Sequence, residues 1–268
     1  MKVFGISVVQ NEADIIRENL EWASRFCERI FIWDLGSTDE TWDILQQMRS
    51  PRIIPEIKTG ISWVNSIRGT IYRSVRDQIG VNDWMYLLDA DEFVSRDPRD
   101  TLAEAEREGA AVVGGWQANF IPTETDAARM KDVGEDAWSR IPIHERLRHY
   151  RVEWFEFRFV RNLPGLNWDT SRLWSVIQDA NGRPLPVSRR EVLLRHYRHR
   201  TPEQVALRHQ ARMESRRRDQ SQFGYNLSPN FQSYIRPAEK LRLWPPEETE
   251  FHVPAAELMR ARLTWLCA

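Results

Sequence analysis

The chain has 268 residues, 41% of them hydrophobic, with 12 Trp and a formal net charge of −1. That length and apolar content suffice for one large α/β domain or one domain with appended elements, and bulk charge gives no pointer to a polyanionic partner. No apolar run is long enough to span a membrane, Met1 leads straight into strand-like sequence, and Cys27 and Cys267 make no metal-ligand pattern, so a cytosolic protein with free thiols is expected.

The first half alternates strand and helix signals. Val3 to Val9 is apolar and rich in β-branched residues, a first strand. Asn11-Glu12-Ala13-Asp14 then reads as the opening of a helix, its acids suiting the macrodipole, with Ile15, Ile16, Leu20, Ala23 and Phe26 as the apolar stripe. Ile30 to Trp33 is a second strand. It ends in Asp34-Leu35-Gly36-Ser37-Thr38-Asp39-Glu40-Thr41, a loop turning into a helix that carries Trp42, Leu45 and Met48. Arg52 to Ile57 is a third strand, and Pro55 places it toward an edge. Asn65 to Ile79 has helical spacing. After the next strand Asp100 reads as a cap for Thr101 to Glu108, and Ala111 to Ile121 as a further strand. Such alternation implies a mainly parallel sheet with helices on both faces.

From Pro122 the pattern loosens. Thr123 to Arg148 is polar and reads as a long loop. Phe155, Phe157 and Phe159 alternate with Glu156 and Arg158, as in a half-buried strand, and Asn181-Gly182 marks a turn between antiparallel pieces. Thr201-Pro202-Glu203-Gln204 is a capping box opening a helix to about Arg217. Phe223 to Glu250 is proline-rich and irregular, and Pro254 starts a last helix ending at Leu266. The expected organisation is residues 1–121, 122–218 and a C-terminal extension over 219–268.

The stretch around which the rest is arranged is Trp84-Met85-Tyr86-Leu87-Leu88-Asp89-Ala90-Asp91-Glu92-Phe93. Five apolar residues read as a strand buried on both faces, stopping abruptly at three carboxylates. In extended geometry Asp89 and Asp91 leave the same side of the strand. Carboxylates at the carboxyl end of such a strand sit where open α/β sheets bind ligands, and two hard oxygen donors there suit Mg²⁺ or Mn²⁺. A second concentration of charge lies at 183–218, with eleven Arg and three His against three Glu.

Four pieces together resemble a family 2-type glycosyltransferase with the GT-A fold, of the compact bacterial kind: Val8-Val9-Gln10-Asn11-Glu12, Asp34 to Thr41, Leu87 to Phe93 with its Asp-x-Asp, and Leu194-Arg195-His196-Tyr197-Arg198. The likeness covers residues 1 to about 217. It implies transfer of a sugar from a nucleoside diphosphate donor, by default a UDP-sugar, to an acceptor hydroxyl with inversion. It also implies Mn²⁺ or Mg²⁺ on Asp91 with Asp89 and His196, the ion neutralising the diphosphate leaving group. Asp34 would face the base or ribose, Asp89 the ribose or a metal-bound water, and Gln10, Asn11 and Glu12 would line the same pocket. Arg68, Arg195 and Arg198 are candidates for diphosphate contacts.

An inverting transfer needs a base beside the acceptor hydroxyl. The Glu-Asp pair usual after the fifth strand is missing. Asp169, in Asn167-Trp168-Asp169-Thr170, is the expected base, with Glu145 and Asp136 behind it, and Trp168 is a candidate to stack on a sugar. A nucleotidyltransferase would want a Gly-rich, basic loop after the first strand, which Val9-Gln10-Asn11-Glu12 does not supply. A haloacid-dehalogenase-like phosphatase would want its Asp-x-Asp after the first strand. The Arg-rich 183–218 segment fits a nucleic-acid binder, or a transferase with an anionic acceptor such as a lipid-linked sugar or modified DNA.

Overall fold

The computed structural model describes residues 1–61, 63–64, 67–169, 176–218, 228–248 and 250–266. Strands β1 (Val3–Val9), β2 (Arg29–Asp34) and β3 (Ile53–Lys58) alternate with helices α1 (Ile16–Ala23) and α2 (Thr41–Gln47). Helix α3 (Ile67–Val75) leads into β4 (Trp84–Leu88), and after a turn the short β5 (Glu92–Val94) precedes α4 (Arg99–Arg107). The strands run in the order β3-β2-β1-β4, all parallel, with β3 at the edge as Pro55 implied. Side chains of β1 alternate between two cores: Val3 and Val9 pack with α1 residues Ile16 and Leu20, whereas Phe4, Ile6 and Val8 pack with α3 residues Ile67 and Ile71. Each fully buried Ile or Leu there contributes about 1.5–3 kcal/mol, which fixes the register of both helix layers.

The second half extends the same sheet with antiparallel pairing. Strand β6 (Val112–Phe120) and the long β7 (His149–Arg161) pair antiparallel, and β7 joins β4 antiparallel. Strand β10 (Val187–His196) lies parallel to β6 and antiparallel to β5, so the large sheet runs β3-β2-β1-β4-β7-β6-β10-β5. The fold is thus α/β with a parallel first half and a mixed second half. Strands β8 (Asn167–Asp169) and β9 (Val176–Gln178) form a separate hairpin, and Gly182 takes a left-handed φ of 75° in the turn that follows.

Three expectations are corrected here. Thr123 to Arg148 is not a loop: it holds α5 (Glu124–Val133), α6 (Glu135–Arg140) and α7 (Ile143–Arg146). A Thr123–Asp126 capping box starts α5, and Trp138, Ile143 and Leu147 supply buried contacts that polar composition concealed. Asn11 to Asp14 is a turn, and α1 begins only at Ile16. In α4 the cap position belongs to Pro98, with Asp100 inside the first turn.

Helix α8 (Pro202–Arg218) starts where Thr201 Oγ1 accepts the Gln204 N–H at 3.1 Å. The two-residue β11 (Arg242–Leu243) pairs with β7, and α9 (Ala255–Leu266) closes an aromatic core formed by Phe120, Tyr150, Tyr197, Trp244 and Phe251. No helix among the described residues is long and apolar enough to cross a membrane.

Candidate active site

The carboxyl ends of β1, β2 and β4 lie side by side, since Val9 pairs with Asp34 and Ser7 with Leu88. The β1 and β2 loops are tied together through one residue. Asn11 sits in the left-handed region at φ 57°, which Asn tolerates better than most residues. In that pose its Oδ1 accepts the Thr38 N–H at 2.8 Å, while its own N–H donates to Ser37 Oγ at 2.9 Å. Gln10 Nε2 donates to the Leu35 carbonyl, and the Glu12 N–H donates to Thr41 Oγ1.

Asp34 is fully buried. Its Oδ1 accepts the N–H groups of Gly36 and Ser37 at 2.8 and 2.7 Å, whereas Oδ2 is buried with no hydrogen-bond partner. Burial raises the affinity of this carboxyl for its proton, with the Ser37 and Gly36 hydrogen bonds opposing. Gly36 carries φ 91°, and a Cβ there would meet the Thr59 carbonyl at 2.7 Å, so glycine is required in this turn.

The acid-tipped strand is regular only to Leu88; Asp89 to Asp91 form a turn. Asn19 Nδ2 clamps that turn by donating to the Asp89 and Glu92 carbonyls at 3.2 and 2.7 Å. The expected common direction of Asp89 and Asp91 therefore gives way to separate partners. Asp89 is paired with Arg68, and its Oδ2 lies 3.2 Å from Arg158 Nη2. Asp91 Oδ2 lies 2.9 Å from Arg208 Nη1 and 3.4 Å from His196 Nε2. His196 arrives through pairing with Glu92 across β10 and β5, and Asn119 Oδ1 fixes its Nδ1 at 2.7 Å. Burial would raise the Asp91 carboxyl, but Arg208 and His196 outweigh it and hold the group well below the usual carboxylate range.

A ring of arginines that the sequence left unassigned completes the site. Arg158 is buried on β7 and grips Glu92 with Nε and Nη2 at 2.7 and 2.6 Å, and Gln117 also donates to Glu92. It reaches this side through a bulge, because Val113 pairs with Phe159 and Gly114 with Phe157, leaving Arg158 unmatched. The bulge turns Phe157 to solvent, against the simple alternation expected of Phe155, Phe157 and Phe159. Arg200 binds Asp14 and Glu12, and Arg208 lies 3.7 Å from Glu12 Oε1. Burial lifts the Glu12 carboxyl to about 7 against the pull of Arg200, and it lifts Glu92 to about 7 against Arg158. Gly114 and Gly115 opposite β7 are the one sequence signal that could have revealed the bulge, since strand glycines mark such places; a Cβ on Gly114 would lie 2.1 Å from Phe155 Cζ.

Gln10, Asn11, Glu12, Asp34, Asp89, Asp91, Arg68 and His196 thus come together. Arg195 does not join them: its guanidinium lies over the Phe93 and Trp244 rings at 5.3 Å. Arg198 lies past the end of β10, in the connection to α8. Glu145 and Asp136 are exposed and make no hydrogen bond or ion pair with the acidic cluster. Asp169 ends β8, and its side chain lies outside the described residues. Trp168 is buried against Tyr72, with ring centroids 5.6 Å apart, so it offers no sugar platform. Within the Arg-rich segment Arg200 and Arg208 are taken up by the site acids, whereas Arg183 pairs with Asp179, and Arg190 with Glu104 and Glu108, at the exposed surface.

Among the described residues no three His, Cys, Asp or Glu side chains gather as a metal centre. Asp91 Oδ2 and His196 Nε2 do present one oxygen and one nitrogen donor together, which suits an ion held by few protein ligands and completed by phosphates. Asp89 lies against Arg68 and Arg158, as Asp91 lies against Arg208.

No protein-family model matches the chain, and no curated protein does. Among solved structures it is similar to S. aureus TarS 1–349 in complex with UDP, at 18% identity and a TM-score of 0.33, over 46% of this chain and 36% of that one. It is similar also to TarS 1–349 alone (13% identity, TM-score 0.42, 80% of this chain and 66% of that). A longer TarS structure gives 13% identity and a TM-score of 0.40 over 81% of this chain and 40% of that one. The chain thus spans between about a third and two thirds of the length of these structures.

Proposed function

We propose that the protein is a glycosyltransferase that moves a sugar from a nucleoside diphosphate donor, by preference a UDP-sugar, to an acceptor hydroxyl. The observation that carries this reading is the convergence of the Asn11-tied loops, the orphaned Asp34 Oδ2 and the acid–arginine cluster at adjoining strand ends. Asp34, Gln10 and Asn11 would line the base and ribose; a ribose hydroxyl could satisfy Oδ2. Arg68 and Arg208, already placed on Asp89 and Asp91, bring positive charge to where a diphosphate would gather negative charge.

Asp91 and His196 would hold Mn²⁺ or Mg²⁺. Such an ion supplies Lewis-acid neutralisation of the leaving diphosphate. In this reading Asp169 takes the acceptor proton and the sugar inverts. The acceptor is a glycan or a lipid-linked sugar; Arg200 and Arg208 of the basic segment serve the site acids instead of a polyanion.

Calorimetric titration of UDP, GDP and dTDP, each with and without Mn²⁺, tests the reading on wild type and Asp91→Ala. Binding of one nucleotide, strengthened by Mn²⁺ and lost in the variant, is expected. Absence of binding under every condition would overturn it.

A further inference from the structure

On the same face of the sheet as the acidic cluster stands an aromatic ring that the donor site does not use. Trp154 on β7 is 48% exposed, unusual for a Trp in a central strand. It pairs directly with Gln117, whose side chain donates to Glu92, so the ring shares the face that carries the acids. Its Nε1 donates to Glu156 Oε1 at 2.8 Å, and Glu156 Oε2 in turn lies 2.6 Å from Arg158 Nη2. That same Nη2 is 3.2 Å from Asp89. One continuous run of contacts therefore leads from the acidic turn to the exposed indole. From Trp154 to Glu156 is two strand residues, about 7 Å, or the scale of one sugar ring.

Beside this run Glu153 accepts from Asn119 Nδ2 at 3.0 Å, and Asn119 holds His196. A second bulge, between the Gln117–Trp154 and Ala118–Val152 pairs, brings Glu153 to this edge. The surface so made combines a flat aromatic face, steered by its own hydrogen bond, with two carboxylates whose oxygens accept hydroxyl protons. Glu156 is paired with Arg158 and Glu153 with Arg151, so this surface is close to neutral and offers a polyanion no net attraction, while a purely apolar partner would leave these groups desolvated. A neutral polyhydroxyl ring satisfies both, with its C–H face on the indole and its hydroxyls on Glu153 and Glu156.

The geometry points to Trp154, with Glu156 and Glu153, as the acceptor-sugar subsite. The inference rests on the transferase reading above and names the acceptor's chemistry: a glycan chain laid along β7 toward Asp89.

The test uses the full chain labelled with 5-fluorotryptophan, its Trp154 resonance assigned by loss in Trp154→Phe. Cellotriose, maltotriose and chitotriose are titrated, with nucleotide binding followed calorimetrically on the same sample. At least one trisaccharide is expected to shift the Trp154 signal saturably. Trp154→Ala and Glu156→Gln are expected to weaken that binding by roughly tenfold, with nucleotide affinity kept. If nucleotide binds and no trisaccharide moves the signal, the subsite is overturned while the transferase reading survives. If trisaccharide binds and nucleotide does not, Trp154 marks a sugar-binding surface, but the donor reading and with it the acceptor assignment are overturned. If neither binds, both are overturned.

Discussion

Arg200 and Asp14 stand 186 residues apart in sequence, yet Arg200 Nε and Nη2 approach the Asp14 carboxylate at 2.9 and 2.8 Å with the guanidinium wholly buried. Arg146 joins from α7 at 3.0 Å. Removing one partner of such a pair strands an uncompensated charge, so Arg200→Ala should cost roughly 3–5 kcal/mol. Arg190→Ala, which breaks exposed pairs with Glu104 and Glu108, should cost under about 1 kcal/mol. Urea unfolding of both variants gives the comparison, and equal losses would contradict the structural role given to Arg200.

Asp34→Asn separates scaffold from function. The amide oxygen can still accept the Gly36 and Ser37 N–H groups, so the unfolding midpoint should move little. The orphaned Oδ2 becomes a donor, and nucleotide affinity should fall about tenfold. A thermal melt paired with calorimetry reads both; unchanged affinity would remove Asp34 from the ribose pocket.

The part of the stability that Glu12 supplies should fall as pH rises through the window from about 4.5 to 7, whereas His199, which burial holds well below the ordinary histidine value, acts in the opposite sense in the same window. Burial lifts Glu12 from 4.5 to about 7, so the folded state binds that proton more tightly than the unfolded chain, and deprotonation favours unfolding. At about 1.4 kcal/mol per pH unit, Glu12 contributes up to about 3 kcal/mol across the window, and Glu92 acts in the same sense. Asp91, held low, acts in the opposite sense only below its ordinary range. The unfolding free energy at pH 7.5 relative to that at pH 5 should be higher in Glu12→Gln than in wild type; an identical difference would count against this assignment.

Thr123→Ala removes the cap that starts α5, where Thr123 Oγ1 accepts the Asp126 N–H and Asp126 accepts the Thr123 N–H. The expected loss is about 1 kcal/mol, measured by denaturation. A negligible effect would mean that packing of Met130 and Trp138 alone sets the helix.

Much of this architecture is legible in the residues. The parallel half follows from β-branched runs separated by helical stripes, and Pro55 alone points to an edge position for β3. The loops at Asn11 and Asp34 were located by their polar residues after buried strands. What escaped was non-local. Nothing near Arg158 marks it as buried, because its inward turn arises from a bulge set by pairing with Gly114. Arg200 and Arg208 looked like part of a basic surface, yet their partners lie in the first loop and at the acidic turn. Local spacing likewise could not show that Asp89 and Asp91 part company, since Asn19 from another helix bends the chain between them.

The position of β10 between β6 and β5 fixes the order in which the molecule can be completed. During synthesis the acidic turn emerges about a hundred residues before His196, Arg200 and Arg208, which pair with it and with the first loop. Until then β5 has no neighbour, and Glu12, Asp14 and Asp91 lack their cations. Such high sequence separation makes for slow closure, because loop entropy is spent before the contacts form. Residues 1–121 alone accordingly leave the acidic turn and the first loop without their cations. Competence arrives in one late step, when the last third of the chain slots into the sheet.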